Sequence, residues 1–503
     1  MNQGRQFQPG WRPWFFLLLL LPLAAQNPAA LAAKSERAKE ALTSGDFTTA
    51  IKLYDELNKA VPGNPGLLLN LGMAYHMNHD DVHAIPVLES ALRLQPKLPP
   101  ANLFLGASYV HLKQWAKAIA PLQRYVAADP EHRESRQMLA EAAWAAQRLS
   151  EALPHFEKLA QWAPGDPKSW HHLGRAYEAA AAEALAQLDK WAPQSGYWFA
   201  LAGDSRSRQQ QARAAVLLYR QALAKMPALR GVHQSLAAIY REQGHADWAA
   251  TEEERERKLG APSCATQTLE CLFRQGEFAA VLAHSKGRNT ADALYWRIRA
   301  LDQFARQAFA HLASLPPSVE GYRFLGEMHR EQGRYADAVK AWTAALELEP
   351  QCLDCEAELA VALYLVKDLD GAQQRTERLL AQQPLSPEFN HLMGDIYLAR
   401  QTPAEALPYL ERAVTRAPRN LRARASFGRA LLQANRAQEA VPQLEAALPL
   451  DQDGSLHFQL SRAYQVAGRA EKAKLTLAKY QQIRARLQAT SQAVDEEAAL
   501  PPP

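Results

Sequence analysis

Charge of one sign is what this 503-residue chain lacks most clearly. Its 57 lysines and arginines nearly cancel 53 aspartates and glutamates, leaving a formal net charge of +4. That balance argues against a dedicated nucleic-acid binder, which normally carries a strong basic excess. Sustained period-two alternation is absent, so β-strands are not expected. Beyond the N-terminus there is no second long apolar run, and nothing later in the chain reads as a membrane span. Catalytic signatures are missing as well: there is no Gly-x-Ser-x-Gly elbow, no His-Glu-x-x-His and no phosphate loop. The neighbours His171 and His172 diverge by about 100° on a helix and cannot both face one point. The chain is read as a non-enzyme with no catalytic residue, metal or cofactor.

The N-terminus stands apart from the rest. Arg5 and Arg12 precede Trp14, Phe15, Phe16 and the run Leu17–Leu21, followed by Pro22 and a stretch of small residues up to Ala33. A basic start, a short apolar core and an Ala-x-Ala-like exit have the anatomy of a secretory signal peptide. The apolar run is about a dozen residues, short of the roughly 18–20 that span a bilayer. Residues 1–33 are therefore expected to be a signal peptide, cleaved after Ala25 or after Ala32, with an uncleaved membrane anchor as the alternative. The destination is the periplasm or the cell exterior, with membrane contact only through this segment or a partner.

Proline is spaced with a fixed period. Pro62, Pro96, Pro130 and Pro164 stand 34 residues apart; Pro193 and Pro227 repeat the interval, as do Pro316, Pro350, Pro384 and Pro418. A period near 34 marks a repeat array, in which each unit covers its apolar face against its neighbours. Small residues such as Gly72 and Ala84 allow close helix approach, and Tyr75 and Leu88 fill the space beside them at helical spacing. Gly45, Gly244, Gly333 and Gly468 supply the turn between two helices. Each closing proline ends the second helix, because the residue before proline avoids the α region.

The run Trp170-x2-Leu173-Gly174-x2-Tyr177 resembles the opening of a tetratricopeptide repeat. The same frame recurs as Leu68-x2-Leu71-Gly72-x2-Tyr75 and as Asn390-x2-Met393-Gly394-x2-Tyr397. The resemblance implies an all-α fold, a right-handed superhelical solenoid of antiparallel helix pairs, and binding of a protein or peptide along a concave groove lined by the first helix of each pair. Carried over by repeat position, that groove would present Leu69, Met73, His76, Leu103, His111, Trp144, His171 and Arg175, starting apolar and becoming polar. Further on it would present Arg422, Arg429 and Arg462, able to grip a carboxylate or phosphate with bidentate bonds.

The ladder also breaks. Pro164 to Pro193 is five residues short, and what is missing is the turn between helices. One long helix over 168–190 is expected, and a second along Leu294, Ile298, Leu301, Ala305, Phe309 and Leu312, ending at Pro316. Because both are followed by a regular unit, two compressed units belonging to an internal duplication are expected. The acidic and basic run from Glu252 to Lys258 weakens the middle, where a boundary or hinge is placed. The expected organisation is a first array over 34–259, a degenerate linker repeat over 260–290, a second array over 291–487, and a polar, disordered tail over 488–503.

The four cysteines of an exported chain suggest two disulfides. Cys264 and Cys271 lie about three repeats from Cys352 and Cys355, too far for cross-pairing if Cα atoms must approach within roughly 7 Å. Local pairing, Cys264 with Cys271 and Cys352 with Cys355, is expected. A thioredoxin-like pair would want a βαβ context, a c-type haem site would need His where Glu356 stands, and zinc would need two more ligands. The function expected is a non-enzymatic scaffold outside the cytoplasm that binds a protein or peptide partner in the cell envelope, with no nucleic acid. The alternative is a regulatory or substrate-presenting subunit of an envelope glycosyltransferase or of a polysaccharide-export or secretion assembly.

Overall fold

The computed structural model describes residues 28–496, with side chains up to residue 488. The expected signal peptide therefore lies outside the described residues, apart from its last six positions, which open the first helix. Among the described residues every regular element is helical, and no helix is long and apolar enough to cross a membrane. The chain divides into two compact units between Arg148 and Leu149.

The first unit holds α1 (Pro28–Ser44), α2 (Phe47–Ala60), α3 (Pro65–Met77), α4 (Asp81–Leu94), α5 (Pro99–His111), α6 (Trp115–Ala128) and α7 (Arg133–Ala145). Helices pair as α1 with α2, α3 with α4 and α5 with α6; the first helices of successive pairs also touch, α3 with α5 and α5 with α7. We call the first helix of a pair A and the second B. Capping side chains start many of them: Asp46 accepts from the Thr49 N–H, Asn64 from Gly66 and Leu67, and Asp80 from His83. The A-to-B turn needs one residue in the left-handed region, and that residue recurs on the repeat period: Gly45, His79, Lys113 and Gln147. Glycine takes this conformation without strain, whereas His79 (φ 57°) and Lys113 (φ 54°) are held in it by the helices on either side.

The second unit holds α8 (Leu149–Trp162), the long α9 (Pro167–Trp191), α10 (Gly196–Arg208), α11 (Ala212–Lys225), α12 (Val232–Glu242), α13 (Ala246–Lys258), α14 (Thr268–Arg274), α15 (Phe278–Ser285) and the long α16 (Ala291–Ser314). It continues with α17 (Val319–Glu331), α18 (Tyr335–Leu348), α19 (Leu353–Leu365), α20 (Leu369–Gln382), α21 (Pro387–Ala399), α22 (Pro403–Arg416), α23 (Leu421–Gln433), α24 (Ala437–Ala447), α25 (Ser455–Val466) and α26 (Ala470–Glu496). From α17 onward the A and B helices alternate regularly. The last helix runs to Glu496, so the backbone of 488–496 is helical where a disordered tail was expected; residues 497–503 lie outside the described residues.

Both long helices form where expected, but their relationship corrects the expected duplication. They pack on each other more extensively than any other pair of helices in the chain. In regular repeats the A-helix glycine lies against a B-helix side chain of the same repeat: a Cβ on Gly72 would meet Leu88 at 2.5 Å, and one on Gly326 would meet Trp342 at 2.4 Å. Gly174 of α9 makes this contact with Phe309 of α16, where an added Cβ would lie 2.6 Å from the ring. Ala305, Phe309 and Leu312, all buried, are spaced as Ala84, Leu88 and Ala91 are. The first half of α9 and the second half of α16 are thus the A and B helices of a single repeat, with α10–α15 inserted between them. Each runs straight on because neither carries the left-handed turn residue.

The boundary or hinge expected near 255–290, and the degenerate linker repeat expected over 260–290, fall on a packed segment. The segment contains α14 and α15, which lie against α16, with Leu269, Cys271 and Val281 buried. Nearly buried Arg230, in the turn before α12, ties it down, donating to the Gly260 carbonyl at 3.0 Å and to Glu270 Oε2 at 3.2 Å. Tyr197 of α10 donates to Asp292 of α16 at 3.1 Å, and Arg299 of α16 lies over the Tyr295 ring and 3.9 Å from Asp204. A division into 34–259 and 291–487 would cut through the α9–α16 pair.

Gly174→Ala is expected to destabilise the second unit by about 1–3 kcal/mol through overpacking. Phe309→Leu should relieve part of that cost, giving a coupling of about 0.5–3 kcal/mol between neighbours in contact. Urea midpoints of the two single variants and the double variant check this. Strict additivity would show that the two residues do not share one repeat.

Candidate functional site

The A helices carry the residues expected to face a partner, and the two units place them differently. In the first unit Leu69, Met73, Leu103 and Trp144 are half-buried on α3, α5 and α7, His76 is buried and His111 is exposed. His76 and His111, expected only as groove positions, are brought together by a residue that the groove reading passed over. Asp81, the first residue of α4, has one carboxylate oxygen 2.6 Å from His76 Nδ1 and the other 3.1 Å from His111 Nδ1. The imidazole rings stack with centroids 4.8 Å apart, and buried Ser108 places its Oγ 3.1 Å from His76 Nδ1. Burial pushes the His76 imidazole below its ordinary pKa, against the pull of Asp81. Burial acts to raise Asp81, but hydrogen bonds with Ser108, His76 and His111 outweigh it and hold the carboxyl low.

In the second unit the A helices form a ladder of ion pairs. Arg175 on α9 bonds Glu178 at 2.7 Å and reaches Glu327 on α17 at 3.7 Å. Arg323 on α17 lies 3.8 Å from Asp354 on α19, and Arg330 bonds Glu358 at 2.8 Å. On α21, His391 lies 3.3 Å from both Asp395 and Ser426 of α23. His171 is not presented to a groove: it is buried, its Nε2 lacks a hydrogen-bond partner, and burial pushes its pKa down to about 3, with the His172, Arg323 and Arg175 charges acting the same way. Burial also raises the Glu178 carboxyl.

The ladder ends unbalanced. Arg422, Arg429 and Arg462 on α23 and α25 are exposed, and among the described residues none has a carboxylate within 4 Å. Arg429 donates to Ser426 Oγ at 3.4 Å. Charges that compensate one another from α9 to α21 thus give way to a positive stretch. The carboxylate partners Glu178, Glu327 and Glu358 escaped the sequence reading, because long charged side chains on a helix look alike until the neighbouring helix is known. Asp81 carried a legible signal: every other B helix begins on an apolar residue, as with Phe47, Trp115 and Tyr335.

The cysteines sit in the second unit. Cys264 and Cys271 have their sulfurs 2.09 Å apart and their Cα atoms 5.5 Å apart; for Cys352 and Cys355 the separations are 1.98 and 5.2 Å. The second pair opens α19, where Cys352 Sγ also accepts from the Cys355 N–H.

The folded pKa of His171 lies below its ordinary value of about 6.5, so unfolding takes up a proton and stability should fall as pH drops from about 6.5 toward 3. His171→Gln is expected to flatten that loss. Urea midpoints measured in steps from neutral to acid pH provide the check, and an unchanged slope would remove the assignment.

Family models match parts of the chain in keeping with this architecture. The tetratricopeptide repeat family matches residues 35–99, 82–142, 329–396 and 397–457. No curated protein sequence matches the chain. Solved structures similar to parts of it include MamA MSR-1, with 25% identity over 33% of this chain and 95% of that one at a TM-score of 0.29. MamA AMB-1 shows 27% identity over 33% of this chain and 90% of that one, TM-score 0.29. MamA from Desulfovibrio magneticus RS-1, residues 41 to the end, shows 19% identity over 33% and 96%, TM-score 0.31. The repeat spacing, the glycine contacts and the family matches agree that the matched stretches are tetratricopeptide repeats.

Proposed function

We propose that this chain is a non-enzymatic scaffold that binds a protein partner along the A-helix faces of its repeats, outside the cytoplasm. Tetratricopeptide repeats support a protein-interaction role, and the observation that carries the finer reading is the imbalance on α23 and α25. Three exposed arginines, which among the described residues have no carboxylate partner, follow a ladder in which arginines on α9 and α17 have one. Planar guanidinium groups on adjacent A helices suit bidentate contact with carboxylates of an acidic partner segment. The half-buried Leu69, Met73 and Leu103 of the first unit suit an apolar segment, because flexible thioether and leucine surfaces repack against varied partners.

Arg429→Glu with Arg462→Glu is expected to remove at least one partner captured from envelope extracts while leaving helix content unchanged. The partner lost should bind wild type less well as salt is raised. Identical capture profiles from wild type and variant would sink the reading.

Export is supported by the anatomy of residues 1–33 and by two cysteine pairs placed for bonding, as suits an oxidising compartment. Between the two cleavage points, removal after Ala25 leaves α1 whole. Removal after Ala32 would delete Leu31, which packs against the cluster of Ala38, Leu53 and Tyr54. The mature chain is expected to begin at Gln26, and its four cysteines should resist alkylation until reduced. N-terminal sequencing and intact mass with and without reductant check both. Free thiols in the native chain, or an intact N-terminus in a cytoplasmic fraction, would count against export.

A further inference from the structure

The trio His76, Asp81 and His111 replaces apolar residues at three places in one repeat junction. One period earlier and later, Leu42 and Val110 stand at the position of His76, Phe47 and Trp115 at that of Asp81, and Met77 and Ala145 at that of His111. Asp81 is 4% and His76 8% exposed, so the substitution places a carboxylate and an imidazole where neighbouring repeats gain stability from hydrophobic packing. Burying such groups is unfavourable unless they are paired, and even a well-paired set is often no more stable than an apolar one of the same shape. A position that departs from its own repeat in this direction, with three groups turned onto one another, calls for a ligand.

We propose that His76, Asp81 and His111 form a binding site for a divalent transition-metal ion of the zinc class. One ligand atom from each residue lies within 4.8 Å of the others, and no other such group of three occurs among the described residues. A tetrahedral zinc with bonds of about 2.0–2.2 Å sets its ligand atoms roughly 3.3 Å apart. His76 Nδ1 and His111 Nδ1 already lie 2.6 and 3.1 Å from Asp81 oxygens, so entry of the ion requires small outward shifts. Two imidazoles and one carboxylate favour zinc, copper, nickel or cobalt over calcium or magnesium, which prefer oxygen. His111, about half exposed, gives the ion its way in, and buried Ser108 braces the inner side. The three ligands come from the end of α3, the start of α4 and the end of α5. A bound ion would therefore clamp two successive repeats of the first unit and stabilise their junction by mass action.

The test uses the full mature chain without a histidine tag, treated with chelator and dialysed. Zn²⁺ titration is followed by calorimetry, Co²⁺ titration by visible absorption, and thermal unfolding is recorded with and without Zn²⁺. One equivalent of Zn²⁺ should bind, raise the unfolding temperature and displace Co²⁺ from a low-symmetry site. His111→Ala, at the surface, and Asp81→Asn, which keeps shape and hydrogen bonding, should each weaken Zn²⁺ binding at least about tenfold. Replacing His83 with alanine should leave Zn²⁺ binding unchanged, since His83 pairs with half-buried Asp80 and not with Asp81. No uptake of Zn²⁺ by the wild-type chain would overturn the proposal. So would uptake that survives both His111→Ala and Asp81→Asn, which would mark an adventitious ion only.

Discussion

The contact of Gly174 with Phe309 determines how the second unit is assembled. A tetratricopeptide repeat is stable only when its A helix is covered by a B helix, because one helix pair cannot bury its apolar face alone. Here the A helix is drawn from α9 and its cover arrives from the far end of an inserted array. His311 Nε2 lies 2.9 Å from the Pro164 carbonyl, and the Trp170 ring lies tilted against the His311 ring with centroids 4.1 Å apart. Phe309 in turn stacks on Phe324 of the next A helix at 4.1 Å, so the split repeat passes its packing on to α17. The inserted helices are anchored on α16, chiefly through α15, with α10 and α14 also packed against it.

That arrangement also orders the charged face. Because α16 closes the repeat begun by α9, the next A helix beside α9 is α17, and Arg175 meets Glu327 rather than a residue of α10. Salt bridges of this kind on a partly exposed face contribute little stability each, with a typical range of about 0–1 kcal/mol. Their significance is positional. They fix which carboxylates are already satisfied and leave the arginines of α23 and α25 as the uncompensated charge. The two units thus offer different chemistry: half-buried leucine and methionine with a His–Asp–His cluster in the first, a polar ladder ending in arginine in the second.

The regular parts of this fold were legible because their contacts are local in the repeat. Gly72 against Leu88, the proline after each B helix and the caps at Asp46 and Asn64 all act within one period. The turn was only half legible: glycine signalled it at Gly45 and Gly333, while His79, Lys113, Gln147 and Lys367 adopt the same left-handed conformation without a compositional mark. His76, His111 and the arginines were named as groove candidates by repeat position. The residues that give them their chemistry, Asp81 and Glu327, lie on other helices and show no spacing that links them to their partners.

The amino-acid sequence by itself determined the helix pairs, their period, their turns, and the interruption of that period at two long helices. A turn residue is either present or missing, and where it is missing the helix continues, whatever surrounds it. Only the tertiary structure decided that the two interruptions are one repeat. Nothing local tells α9 that its cover is the helix whose His311 stands 147 residues beyond Pro164. That choice rests on complementary apolar surfaces, Gly174 offering the hollow and Phe309 the ring that fills it, and complementarity exists only once both helices are folded.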